Sequence, residues 1–112
     1  MIIHSLRWNN FLQYEKSDWN DQKMRDIIHN ELDECVKEGY RQFLSMAYED
    51  PIDDSKIKDI KTNRWNSFLE RFNDSDWNTP EIRYEIKQEF DSCAEEGFVL
   101  ALDEGLMQSE KK

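Results

Sequence analysis

The chain has 112 residues, 25 of them acidic and 15 basic, for a formal net charge of −10. That length suits one domain with a core that needs no disulfide or metal, and 12% aromatic residues argue against disorder. The charge disfavours direct binding to nucleic-acid phosphates or to an anionic membrane, and makes a basic protein surface the natural partner.

Only three Gly and two Pro are present, so helix is favoured over sheet. No stretch approaches the length of a membrane span. The opening MIIHSLRW lacks a basic segment followed by an apolar run, so no signal peptide is expected and the expected location is cytoplasmic.

Two phrases occur twice: RWNNF at 7–11 with RWNSF at 64–68, and SDWN at 17–20 with SDWN at 75–78. One extra residue at Asn73 brings the two halves into alignment. Identities then include Arg7/Arg64, Trp8/Trp65, Phe11/Phe68, Leu12/Leu69, Trp19/Trp77, Asn20/Asn78 and Ile28/Ile86. They continue through Glu31/Glu89, Asp33/Asp91, Cys35/Cys93, Glu38/Glu96 and Gly39/Gly97. Residues 1–112 therefore read as a single domain of two repeats. Unit 1 covers about 3–49, a linker about 50–55 and unit 2 about 56–108, with a disordered tail at 109–112. Two copies are too few for a solenoid, so the expected fold is all-α. It is two helix-turn-long-helix repeats packed about a pseudo-two-fold axis in a four-helix arrangement.

In chain order, Ile3, Leu6, Trp8, Phe11 and Leu12 predict a short helix at roughly 3–15. SDWN and Asp21 then start a long helix whose apolar stripe is Met24, Ile28, Leu32, Cys35, Gly39 and Phe43. In unit 2, Ile57, Ile60, Trp65, Phe68, Leu69 and Phe72 predict a helix at roughly 55–72. Thr79 is a good N-cap and Pro80 suits the first helical position of the second long helix. Its stripe is Ile82, Ile86, Phe90, Cys93, Gly97 and Ala101. The apolar register runs on across each Gly, which favours continuous helices over a break there. Gly inside a helix costs roughly 1 kcal/mol against Ala. Keeping it at both Gly39 and Gly97 predicts that the long helices cross at those positions.

Trp8 and Trp65 share an apolar face with Phe11 and Phe68, which predicts core. Trp19 and Trp77 are expected to plug the turn rather than stand out as partner anchors. Cys35 and Cys93 read as small buried hydrophobes, since no Cys-x-x-Cys or matching His accompanies them. His29 has neighbouring carboxylates, but its counterpart in the second copy is Lys87, so the framework does not require it. No catalytic residue, metal site or cofactor is expected. An enzyme or metal protein centred on His29 is the third alternative.

The acidic residues carry the functional expectation. The second long helix bears Glu81, Glu85, Glu89, Glu96 and Asp103, and the first bears Glu31, Glu34 and Glu38. Carboxylates roughly 6 Å apart along a helix resemble the spacing of nucleic-acid phosphates. This predicts a non-catalytic protein-binding module, an inhibitor or DNA mimic for a basic nucleic-acid-binding protein or nuclease. The alternative is a scaffolding homo-oligomer built through Tyr48, Leu106 and Met107. Positions where the copies differ, such as His29/Lys87 and Asp26/Tyr84, are the expected seat of whatever distinguishes the protein.

Overall fold

The computed structural model describes residues 3–47 and 54–110. Among these residues the chain is helical, with no strand. The helices are α1 (Arg7–Phe11, continued by a 3-10 turn at Leu12–Tyr14), α2 (Gln22–Ala47), α3 (Asp54–Ile57), α4 (Trp65–Phe72) and α5 (Pro80–Glu110). No described helix is long and apolar enough to cross a membrane.

Local chemistry starts both long helices. The Thr79 hydroxyl accepts from the Ile82 N–H at 3.3 Å, with Pro80 first in the helix and Glu81 in its first turn. Asp21 Oδ1 accepts from the Lys23 N–H at 3.2 Å. Each satisfies a donor that helix geometry leaves orphaned.

The two stripes then meet. Met24, Ile28, Leu32 and Cys35 are buried in α2, and Ile82, Ile86, Phe90 and Cys93 in α5. The helices run side by side in the same direction. Both begin at SDWN turns that touch each other, Gly39 lies against Ala94 and Phe98, and the Tyr40 hydroxyl donates to Glu104 farther on. The molecule is accordingly elongated, 51 × 26 × 26 Å.

At the crossing the backbones touch. A Cβ on Gly39 would fall onto the Ala94 carbonyl, 2.7 Å from its carbon and 3.0 Å from Phe98 N. A Cβ on Gly97 would fall onto the Val36 carbonyl, 2.7 Å from its carbon and 2.9 Å from Tyr40 N. Neither helix breaks there, and no glycine among the described residues has a positive φ. The glycines serve close approach, and Ala94 and Val36, both fully buried, line the same seam.

The short helices differ from expectation. The segment predicted as one helix at 55–72 is α3, an irregular stretch at 58–64 and then α4; that predicted at 3–15 is an irregular stretch at 3–6, then α1 and its 3-10 turn. The reason is tertiary. The N–H groups of Ser5, Leu6, Thr62 and Asn63 are taken by carboxylates of α2 and α5, a pairing that competes with helix. The expected linker lies mostly outside the described residues, as does Tyr48. At the other end α5 continues through Ser109 to Glu110, where a tail was expected.

Gly39→Ala and Gly97→Ala should each cost at least about 2 kcal/mol, because the atom in the way is backbone rather than a flexible side chain. For a chain of this size that lowers the melting temperature by roughly 10 °C. Unchanged melting for both variants would mean that the helices part there without cost.

Candidate functional site

Ser5 and Thr62 stand two residues before Arg7 and Arg64, and each ties an arm of the chain to the long helices. The Ser5 hydroxyl lies 3.2 Å from Cys35 Sγ and donates to Glu38 at 2.8 Å. The other oxygen of Glu38 accepts from the Leu6 N–H at 2.9 Å. Thr62 repeats this with Cys93 at 3.3 Å and Glu96 at 2.9 Å, and Glu96 also accepts from the Asn63 N–H. Each arm reaches the opposite long helix as well. The Ser5 N–H donates to Asp91 and the Thr62 N–H donates to Asp33.

One residue pair farther on, two arginines grip two glutamates. Arg7 donates through Nε and Nη2 to Glu31 at 2.8 and 3.0 Å. Arg64 does the same to Glu89 at 2.9 and 3.0 Å. Hydrogen bonding to these carboxylates raises both guanidinium pKa values. Glu89 is only 7% exposed, so its charge needs this two-pronged partner.

The carboxylates singled out from sequence therefore do not form one free row. Glu31, Glu38, Glu89 and Glu96 bind the chain itself. Glu34 pairs with Lys37 at 3.1 Å and Glu85 with Arg71 at 3.5 Å. Glu81 and Asp103 are exposed, with no ion pair among the described residues. Of the residues proposed for an oligomer contact, Leu106 and Met107 lie in the last turns of α5, where no side chain is described.

The SDWN turns interlock. Trp19 and Trp77 are buried plugs whose indole N–H groups donate to the Tyr14 and Phe72 carbonyls at 2.9 and 2.8 Å. Asn78 Oδ1 accepts from the Trp19 N–H, and Asn20 Oδ1 accepts from the Trp77 N–H, both at 2.8 Å. The same two amides donate across to Asp18 and Asp76 at 2.8 Å. Arg83 lies 4.2 Å over the Trp19 ring and Arg25 4.2 Å over the Trp77 ring. Trp8 and Trp65 lie edge-on to these plugs, half-buried beside the core.

His29 stacks on Trp65, with centroids 4.6 Å apart and planes 5° apart, and its Nε2 lies 3.9 Å from Asp33. It packs on the second unit's short helix. Burial pushes the Cys93 thiol up to about 12 and the Cys35 thiol higher still, so neither is a thiolate nucleophile at neutral pH. Among the described residues no group of three or more His, Cys, Asp or Glu could hold a metal ion.

Two grooves flank the arms at matching places. One, about 460 Å³, is lined by Leu6, Arg7, Glu34, Glu38, Arg41 and Met46, among others. The other, about 340 Å³, is lined by Arg64, Ser92, Glu95, Glu96 and Val99. Sequence reasoning missed Ser5, Thr62, Arg25 and Arg83. Each has an identical or hydroxyl-bearing counterpart in the other copy, and that was the available signal.

Asn78→Ala should leave the Trp19 N–H without its acceptor and cost about 1–3 kcal/mol in urea unfolding. A smaller loss would mean that water replaces the amide. Hydrogen bonds from Asn78 and Asn20 hold the Asp18 and Asp76 carboxyls below their ordinary range. A depressed folded-state pKa stabilises fully above the unfolded value, about 3.9, and that stability goes as pH falls through the folded value. Asp18→Asn with Asp76→Asn should therefore flatten the loss of stability below about pH 4; an unchanged acid slope would place that loss elsewhere. Comparison of the chain with known protein families, characterised proteins and solved structures finds no match.

Proposed function

We propose that the protein is a non-catalytic binding module whose acidic surface engages a basic protein surface. In this reading it blocks a nucleic-acid-binding protein or nuclease by occupying its phosphate-binding face. One observation carries the reading: after internal pairing, Glu70, Glu81, Glu95 and Asp103 remain exposed with no ion pair among the described residues, on a chain of net charge −10. Unpaired surface carboxylates steer association with a basic partner and suppress contact with nucleic acid and anionic lipid. No catalytic residue, metal or cofactor enters this function.

We read the scaffold as two repeats related by an approximate two-fold axis running along α2 and α5. What supports this is that contacts recur in pairs: Gly39 with Gly97, Ser5 with Thr62, Arg7 with Arg64 and each SDWN turn with the other. A cytoplasmic setting fits two unpaired, buried cysteines.

A homo-oligomer is the second reading. It is favoured by Leu6 and Met46, 72% and 69% exposed and lining one groove.

Affinity purification from the native host should retrieve a partner with a basic surface. Its binding should weaken with salt, and by at least about ten-fold when Glu70, Glu81 and Asp103 are changed together to Lys. Glu89 and Glu96 are unsuitable for that test because they hold Arg64 and Thr62. Retention indifferent to both salt and charge reversal would defeat the binding reading.

A further inference from the structure

Resting on that reading, we propose that the docking point is the groove of Ser92, Glu95, Glu96 and Val99, and that it takes a basic amphipathic segment of a protein partner. The segment would set an ammonium or guanidinium group against the carboxylates and an apolar residue on Val99 and Leu102.

Three observations converge there. First, α5 is apolar on two sides in this stretch. Phe98 and Ala101 are buried against the core, yet Val99 and Leu102 remain 44% and 37% exposed. Ser92, Glu95, Val99 and Leu102 follow helical spacing, so the two apolar residues share one outward face with the groove's polar ones, while Leu100, 38% exposed, stands off that face. Second, the groove keeps unbalanced negative charge. Among the described residues Glu95 is exposed with no ion pair, and the hydrogen bonds that Glu96 accepts come from neutral donors, Thr62 and Asn63. Arg64 also lines the groove; it is bound two-pronged by Glu89 and interacts with Glu96 as well, so one guanidinium there stands against the carboxylates of Glu89, Glu95 and Glu96. A long basic side chain complements this combination, because its methylene stem covers apolar surface while its head meets carboxylate.

Third, the equivalent groove of unit 1 differs at the positions the framework leaves free. Lys37 stands where unit 2 has Glu95, Glu34 where it has Ser92 and Arg41 where it has Val99. There Arg7, Lys37 and Arg41 stand against Glu31, Glu34 and Glu38, so charge is balanced locally. The framework pairs, Glu38 with Ser5 and Glu96 with Thr62, are the same in both. The divergence thus makes one of two like-built grooves acidic without touching the contacts that build them.

The test uses the full chain and a synthetic amphipathic peptide of about 14 residues, four helical turns, with lysines on one face and leucines on the other. Amide chemical-shift mapping should centre on Ser92, Glu95, Val99 and Leu102. Affinity should fall with salt, and at least about ten-fold in Glu95→Lys/Val99→Asp, but not in Glu34→Lys. Shifts centred on the Leu6 and Met46 groove, shifts scattered over the acidic surface, or no binding would each overturn the proposal. The host partner separates the two readings. Loss of binding on reversal of Glu70, Glu81 and Asp103 with none in Glu95→Lys/Val99→Asp overturns the groove alone. Indifference to both sets overturns the binding reading as well.

Discussion

Backbone contact between α2 and α5 at Gly39 and Gly97 is the constraint on which the rest of the molecule depends. A side chain at either position would overlap a carbonyl of the facing helix. Close approach there brings the stripes of both helices into one core, with Ile28, Cys35 and Val36 meeting Ile86, Cys93 and Ala94 at full burial. It also sets the distance between the outer faces of the pair. Ser5 can therefore bond Glu38 on one helix and Asp91 on the other, and Thr62 can bond Glu96 and Asp33. The roughly 1 kcal/mol that each glycine costs in helix propensity is small beside the packing it permits.

At the helix starts the SDWN turns hold the pair in register. Each asparagine accepts from the tryptophan N–H of the other turn and donates to its aspartate, so the turns cannot slide past each other without breaking four bonds. The arginines lie over the indole rings at this junction. Between the junction and the glycine crossing, the aromatic cluster of Trp8, Phe11, Trp19 and Phe90 packs edge-on and tilted. Most of the repeated letters of the sequence are accounted for by these contacts. The repetition records framework, and framework consumes four of the eight carboxylates that looked functional.

That consumption has a general reading. A carboxylate present in both copies, such as Glu31/Glu89 or Glu38/Glu96, answers to something both copies share, which is the fold. A carboxylate present in one copy, such as Glu95 opposite Lys37, is released from that duty. For these residues burial agrees: Glu89 is nearly inaccessible while Glu95 is exposed.

The sequence alone determined the all-helical class, the duplication, the caps at Asp21 and Thr79, the two core stripes and the special position of the glycines. Those features are local or periodic, and a helix writes its buried face into spacing. The tertiary structure alone decided that the long helices run parallel, that the SDWN turns clasp one another, and that the stretches around Ser5 and Thr62 are not helix. It also decided which carboxylates are free. These depend on bonds between residues far apart in the chain, where a hydroxyl, a thiol and a carboxylate meet only after the helices have packed. No spacing within one segment encodes the partner supplied by another. For that reason spacing leaves Ser5 and Thr62 unmarked, and reads Glu89 and Glu96 as members of a partner-binding row.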